Sequence, residues 1–98
     1  AAVPAGAKVT TAEGFVPTLY RDRTIYYYPV GIDTADYAVL SRISQPDGSF
    51  YYAGAVNYIG ETQKADICLT ERLRKAGFNL DQPRLMIGNM TVLERTSK

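Results

Sequence analysis

Between Asp36 and Gly60 the chain reads DYAVLSRISQPDGSFYYAGAVNYIG, two β-rich runs on either side of Gln45-Pro46-Asp47-Gly48. Proline pre-sets φ in such a turn, aspartate accepts from backbone N–H groups ahead of it, and glycine takes a positive φ at no steric cost. The stretch predicts an antiparallel hairpin over 37–59 with its turn at 45–48. Two loop lengths fit, and they give registers one residue apart, which reverses the face of every side chain. A three-residue bulged loop sets Arg42 opposite Tyr52 on a buried side, at the cost of desolvating a charge. A four-residue loop instead pairs Ser44 with Tyr51, Ile43 with Tyr52, Val39 with Val56 and Tyr37 with Tyr58. The last three pairs then share a core face. That register is the expected one; it puts Tyr52 in the core and leaves Tyr51 the more exposed of the two.

One helix follows, from about 61 to 76. At 100° per residue Ala65, Leu69, Leu73 and Ala76 form an apolar stripe with Cys68 at its edge. Gly77 suits the left-handed position after the last turn, Phe78 can fold back on Leu73, and Arg72, Arg74 and Lys75 complement the helix dipole. Beyond the helix, PRLMIGNMTVLER alternates as a strand or hairpin over 84–95. A two-residue turn at Gly88-Asn89 pairs Ile87 with Met90 and Leu85 with Val92; a bulge in one long strand is the other reading. Ahead of the first hairpin, GFVPTLY and TIYYYPV are joined by Arg21-Asp22-Arg23, which reads as a further antiparallel turn.

Hairpin connections and a single helix predict an α+β fold: a mainly antiparallel sheet of about four to six strands with the helix packed on one face. The other face is expected to stay partly open to solvent. The 98 residues are enough for one domain, expected over 9–98 behind a flexible segment at 1–8. No apolar run approaches the roughly 18 residues of a membrane-spanning helix. AAVPAGA, at the start, is a small, uncharged stretch of the kind left beside a signal-peptidase cut, pointing to a periplasmic or secreted protein, with the cytoplasm as the other reading.

Histidine is absent, which removes Ser-His-Asp and Cys-His nucleophiles, imidazole bases and most zinc sites together. No phosphate-binding glycine loop or calcium loop is spelled out, so neither a catalytic residue, a cofactor nor a metal is expected. Eleven basic and ten acidic side chains are interspersed, which disfavours nucleic acid as a partner. Cys68 is the only cysteine. It sits one helical turn from Lys64 and from Arg72, which would favour a thiolate, but its place beside the apolar stripe predicts a buried, structural thiol.

The remaining lead is the tyrosines, eight in all. Each offers a large apolar face, a polar tip and little rotamer entropy to lose on binding. Strand alternation divides Tyr26-Tyr27-Tyr28, with Tyr27 on one face and its neighbours on the other. Tyr26, Tyr27, Tyr28 and Tyr51, with Arg21 and Arg23, are therefore the candidate binding residues, and a non-enzymatic module contacting a protein partner is the expected function. An inhibitor, an immunity-type protein and an envelope accessory protein all have this character. A histidine-free enzyme using carboxylates or Cys68 is the alternative, and a nucleic-acid-binding domain the third.

Overall fold

A computed structural model describes residues 3–12, 22–54 and 63–96. These form β1 (Lys8–Thr11), β2 (Thr24–Tyr27), β3 (Tyr37–Ser44), β4 (Phe50–Ala53), α1 (Gln63–Lys75), β5 (Leu85–Ile87) and β6 (Met90–Glu94). The fold is α+β, one helix on one six-stranded sheet, ordered β2-β1-β3-β6-β5 with β4 also against β3. β1 and β4 share one side of β3, β1 along Tyr37–Val39 and β4 along Ser41–Ser44, while β6 runs along the other side.

The sheet is mixed, which corrects the expectation of a mainly antiparallel one in part. β1 runs parallel to both β2 and β3, and the other pairings are antiparallel. β1 escapes sequence reading because KVTT has one apolar residue, although Thr10 and Thr11 are fully buried. Burial is tolerable because their hydroxyls donate to the carbonyls of Val30 at 2.6 Å and Val39 at 2.9 Å. The expected partner run at 14–20 lies outside the described residues.

The hairpin has the register that sequence reasoning rejects. Ser44 faces Phe50, Ile43 faces Tyr51 and Arg42 faces Tyr52, and Gln45 N–H donates to the Ser49 carbonyl at 2.8 Å to close a three-residue loop. Within it Gly48 has φ +89°, and Asp47 accepts from the Ser49 amide and hydroxyl at 2.9 and 2.6 Å. These bonds hold the Asp47 carboxyl below its usual range. The feared cost does not arise, because Arg42 is only half-buried. Its guanidinium lies 3.8 Å from the centre of the Phe50 ring and its stem covers apolar surface. The pairs expected with Val56 and Tyr58 lie outside the described residues.

The sheet carries a core on each face. Beneath α1, Ala38, Leu40, Tyr52 and Leu93 pack with Leu73, Phe78 and Leu80. On the other face Val9, Tyr37, Val39 and Val92 pack with Val3 and Ala7. That face is therefore buried at its centre and exposed towards its edges at Tyr27, Leu85 and Ile87.

α1 ends as read from the sequence. Gly77 has φ +101°, Phe78 N–H bonds the Leu73 carbonyl and Gly77 N–H the Arg74 carbonyl, both at 3.1 Å, which is the Schellman arrangement. The buried face is rotated from the expected stripe. Asp66, Thr70 and Leu73 are buried, Leu69 and Ala76 flank them, and Ala65 and Cys68 are exposed, so the expectation of a buried thiol is corrected. The cause is Thr70, whose hydroxyl accepts from Tyr52 N–H at 3.0 Å and shares its proton between the carbonyls of Asp66 at 2.8 Å and Tyr52 at 3.3 Å. Tyr52 belongs to a non-hydrogen-bonded pair of the hairpin, so these are outward-pointing backbone groups of β4. A polar residue has turned inward to close a strand edge.

Arg95 ties the elements together. Its guanidinium donates to the carbonyls of Ala35 at 2.8 Å, Ala76 at 2.5 Å and Ile32 at 2.5 Å, and lies 4.7 Å from the centre of the Phe78 ring. One side chain thus satisfies the helix C-terminus and the 32–35 turn together.

Candidate protein-interaction surface

The tyrosine triplet divides as strand geometry requires. Tyr27 pairs with Thr11 and faces away from α1, with 56% of its surface exposed. Tyr26 and Tyr28 turn toward the helix-side core and are half-buried. Tyr26 lies on Gly31, whose φ is +87° and where a Cβ would come 2.6 Å from the ring. Tyr28 lies on Gly54, where a Cβ would come 2.9 Å from the ring. Its peptide bond to Pro29 is cis, and Val30 N–H returns to the Tyr27 carbonyl at 2.9 Å. Among the described residues the Tyr28 hydroxyl has no hydrogen-bond partner. Burial, seconded by the Asp66 charge and opposed by Arg72, pushes its phenol well above the ordinary range.

Tyr51 shares the face of Tyr27 but is only 3% exposed, so it is buried, as Tyr52 is. The register explains this: with Ile43 as its partner, Tyr51 joins the face of Val39 and Tyr37, and Tyr52 joins that of Leu40. Arg23 donates to the Val3 carbonyl through Nε at 3.2 Å and through Nη2, fastening the N-terminal segment to β2. Arg21 lies outside the described residues. Of the candidates, Tyr27 alone among the described residues presents most of its surface to solvent.

A cleft of about 370 Å³ lies between residues 4–7 and the paired ends of β3 and β6, where Asp36, Tyr37, Glu94 and Arg95 line it. Of its two carboxylates Glu94 is engaged, accepting from Arg84 at 3.1 Å and from the Tyr37 hydroxyl at 3.4 Å. Burial, with Glu94 beside it, raises the Tyr37 phenol. No group of three or more metal-ligating side chains gathers among the described residues, and no helix there is long and apolar enough to cross a membrane.

The strongest surface feature is β5. Leu85, Met86 and Ile87 are 37%, 53% and 61% exposed, so all three residues of this terminal strand show apolar surface. The hairpin that carries them has the register read from the sequence, Ile87 with Met90 and Leu85 with Val92. Gly88 has φ +58° at the first central position of the turn, as type II′ requires. Alternation found the strand; its exposure on both faces comes from its place at the end of the sheet among the described residues. Leu85 and Ile87 lie on the face away from α1, and Met86 on the helix side. There Arg42 Nη1 meets the Met86 sulfur at 3.4 Å, so Arg42, Phe50 and Met86 are continuous.

Aromatic residues, methionine and arginine are the types enriched where proteins meet. Compared with protein-family models, curated proteins and solved structures, the chain matches none of them, and the surface is read from its own geometry.

Proposed function

We propose that the chain is a small non-enzymatic binding module and that it meets its protein partner through the β5 edge. The observation that carries this reading is the exposure of all three apolar residues of a terminal strand. Natural sheets blunt such edges, since unpaired backbone groups beside apolar side chains invite another strand. The contrast within the molecule is direct: the β4 edge is closed by Thr70, whereas among the described residues β5 ends the sheet. The contact surface therefore moves from the tyrosine face to the hairpin tip, and Tyr27, on the opposite edge strand, is at most a second contact.

The test is affinity capture from the native extract with wild-type protein, Ile87→Lys and Tyr27→Ala. Both substituted side chains are exposed, so folding is unaffected. The proposal expects a partner retained by wild type and Tyr27→Ala and lost by Ile87→Lys. A partner retained equally by Ile87→Lys and lost by Tyr27→Ala would return the contact to the tyrosine edge.

A further inference from the structure

Resting on the reading of β5 as the contact edge, we infer that its occupant is an extended acidic segment of the partner, one that alternates apolar and carboxylate side chains and adds to the sheet as a seventh strand. A two-residue turn closes on a hydrogen-bonded pair, here Ile87 with Met90. Hydrogen-bonded and non-hydrogen-bonded pairs alternate, so the Met86–Thr91 pair is non-hydrogen-bonded. The N–H and C=O of Met86 therefore point away from β6, toward the open edge. An incoming strand finds one donor and one acceptor there.

The two sides of that edge differ in chemistry. Leu85 and Ile87 present apolar surface on one face. On the other, Met86 lies beside the Arg42 guanidinium, which rests on Phe50 and has no carboxylate partner among the described residues. A side chain directly opposite Met86 has its Cβ about 5 Å away, so a glutamate there reaches the guanidinium beside the sulfur. Its neighbours at one residue to either side fall on the Leu85/Ile87 face, where apolar groups are wanted. The pattern apolar–acid–apolar is complementary at all three positions.

A second copy of this chain is a poorer occupant. Antiparallel pairing of two β5 strands about Met86 sets Leu85 against Ile87 and brings no carboxylate to either Arg42. Three partly exposed side chains also fall short of the roughly 800 Å² per partner of a standard stable interface.

The probe is the synthetic peptide acetyl-Thr-Val-Glu-Val-Glu-Val-Thr-amide, titrated into the isotope-labelled protein and followed by NMR. Beside it run the same peptide with Lys for Glu and one with both glutamate nitrogens methylated, which removes the donor to the Met86 carbonyl. The expected result is shift changes centred on the amides of Leu85, Met86 and Ile87, at least tenfold weaker binding of the lysine peptide and no binding of the N-methylated peptide. Arg42→Gln is expected to abolish the glutamate preference while leaving the spectrum otherwise native. Equal affinity for glutamate and lysine peptides, shifts centred on Tyr27, or no saturable binding by any of the peptides overturns the inference. So does concentration-dependent dimerisation that Ile87→Lys abolishes, which assigns the edge to a second copy. If Ile87→Lys loses a captured protein while the peptides show no acid preference, the contact edge stands and only the acidic occupant fails.

Discussion

Replacing Arg95 with alanine removes more structure per atom than any other single change that the interactions of this fold suggest. The guanidinium makes three charge-assisted bonds, to the carbonyls of Ile32, Ala35 and Ala76, and packs over Phe78. A hydrogen bond to a charged group contributes about 1.5–3 kcal/mol, and the three share one side chain, so their losses are not additive. Arg95 is half-buried, so water reaches part of the site and rehydrates some of the freed carbonyls. The expected loss is about 4 kcal/mol, a large part of the 5–15 kcal/mol that holds such a domain folded. At roughly 5 °C per kcal/mol for a chain of this size, Tm falls by about 20 °C. Arg95→Lys keeps the charge and the stem but lacks the planar fork, so it reaches one or two of the carbonyls and costs about half as much. Urea unfolding of wild type, Arg95→Lys and Arg95→Ala, monitored by tyrosine fluorescence, measures both differences. A graded loss at constant m supports the reasoning. A loss below about 1 kcal/mol for alanine, or a lysine variant equal to wild type, refutes it.

Thr70→Val keeps the shape of the side chain and removes the hydroxyl that Tyr52 N–H uses, so it is expected to cost about 2 kcal/mol in urea unfolding and to raise aggregation on heating, because the β4 edge is reopened. Gly31→Ala meets both a positive φ and the Tyr26 ring and should lose about 3 kcal/mol, whereas Gly48→Ala meets only the φ and should lose about 1; comparable losses by thermal denaturation would refute the clash. Tyr28→Phe removes a hydroxyl without a described partner and should leave stability unchanged or raise it by up to about 1 kcal/mol, a result that any loss above about 1 kcal/mol contradicts. Burial raises the Tyr28 and Tyr52 phenols in the folded protein, so the stability they contribute is fully present below the unfolded value of about 10 and is lost as pH rises above it. Absorbance at 295 nm should then show phenols that ionise together with alkaline unfolding, and a shift of that transition toward lower pH in Tyr28→Phe would contradict the sign.

What the sequence disclosed and what it concealed follow from different kinds of interaction. Local signals carried: Gly77 and Phe78 stopped the helix, Asp47 and Gly48 turned the chain, and Gly88-Asn89 closed the last hairpin in the register read from alternation. The reading failed at Arg42, assigned a side by polarity alone, and was silent on three threonines. Thr10 and Thr11 are buried because the distant Val30 and Val39 carbonyls accept from their hydroxyls, and Thr70 because the Tyr52 amide donates to its hydroxyl, partners that a single sequence does not reveal. Arg42 faces Tyr52 because its stem is apolar and its head finds the Phe50 ring; pricing it as a bare buried charge selected the wrong loop and thereby exchanged Tyr51 and Tyr52. The same register places Tyr51 in the core, on the face where Tyr27 remains exposed.

The sheet's outer strands show where the remaining freedom lies. β2 is held along β1 by the parallel ladder, with its far end fastened by Arg23 to the Val3 carbonyl. β4 is the flank a neighbouring strand could have extended, and there the helix supplies a hydroxyl where that strand would have supplied an amide and a carbonyl. β5 is likewise held along β6, with Arg84 fastened to Glu94, but among the described residues no side chain closes its outer edge as Thr70 closes that of β4: it is short, which limits runaway pairing, yet its three side chains are apolar and face solvent on both sides. A strand kept short but left apolar can accept one short partner segment more readily than it can template a fibre. With Arg42 held beside Met86 by a ring and a sulfur, that acceptance carries a charge preference, which is why substitution of Arg42 should change selectivity at the edge before it changes stability.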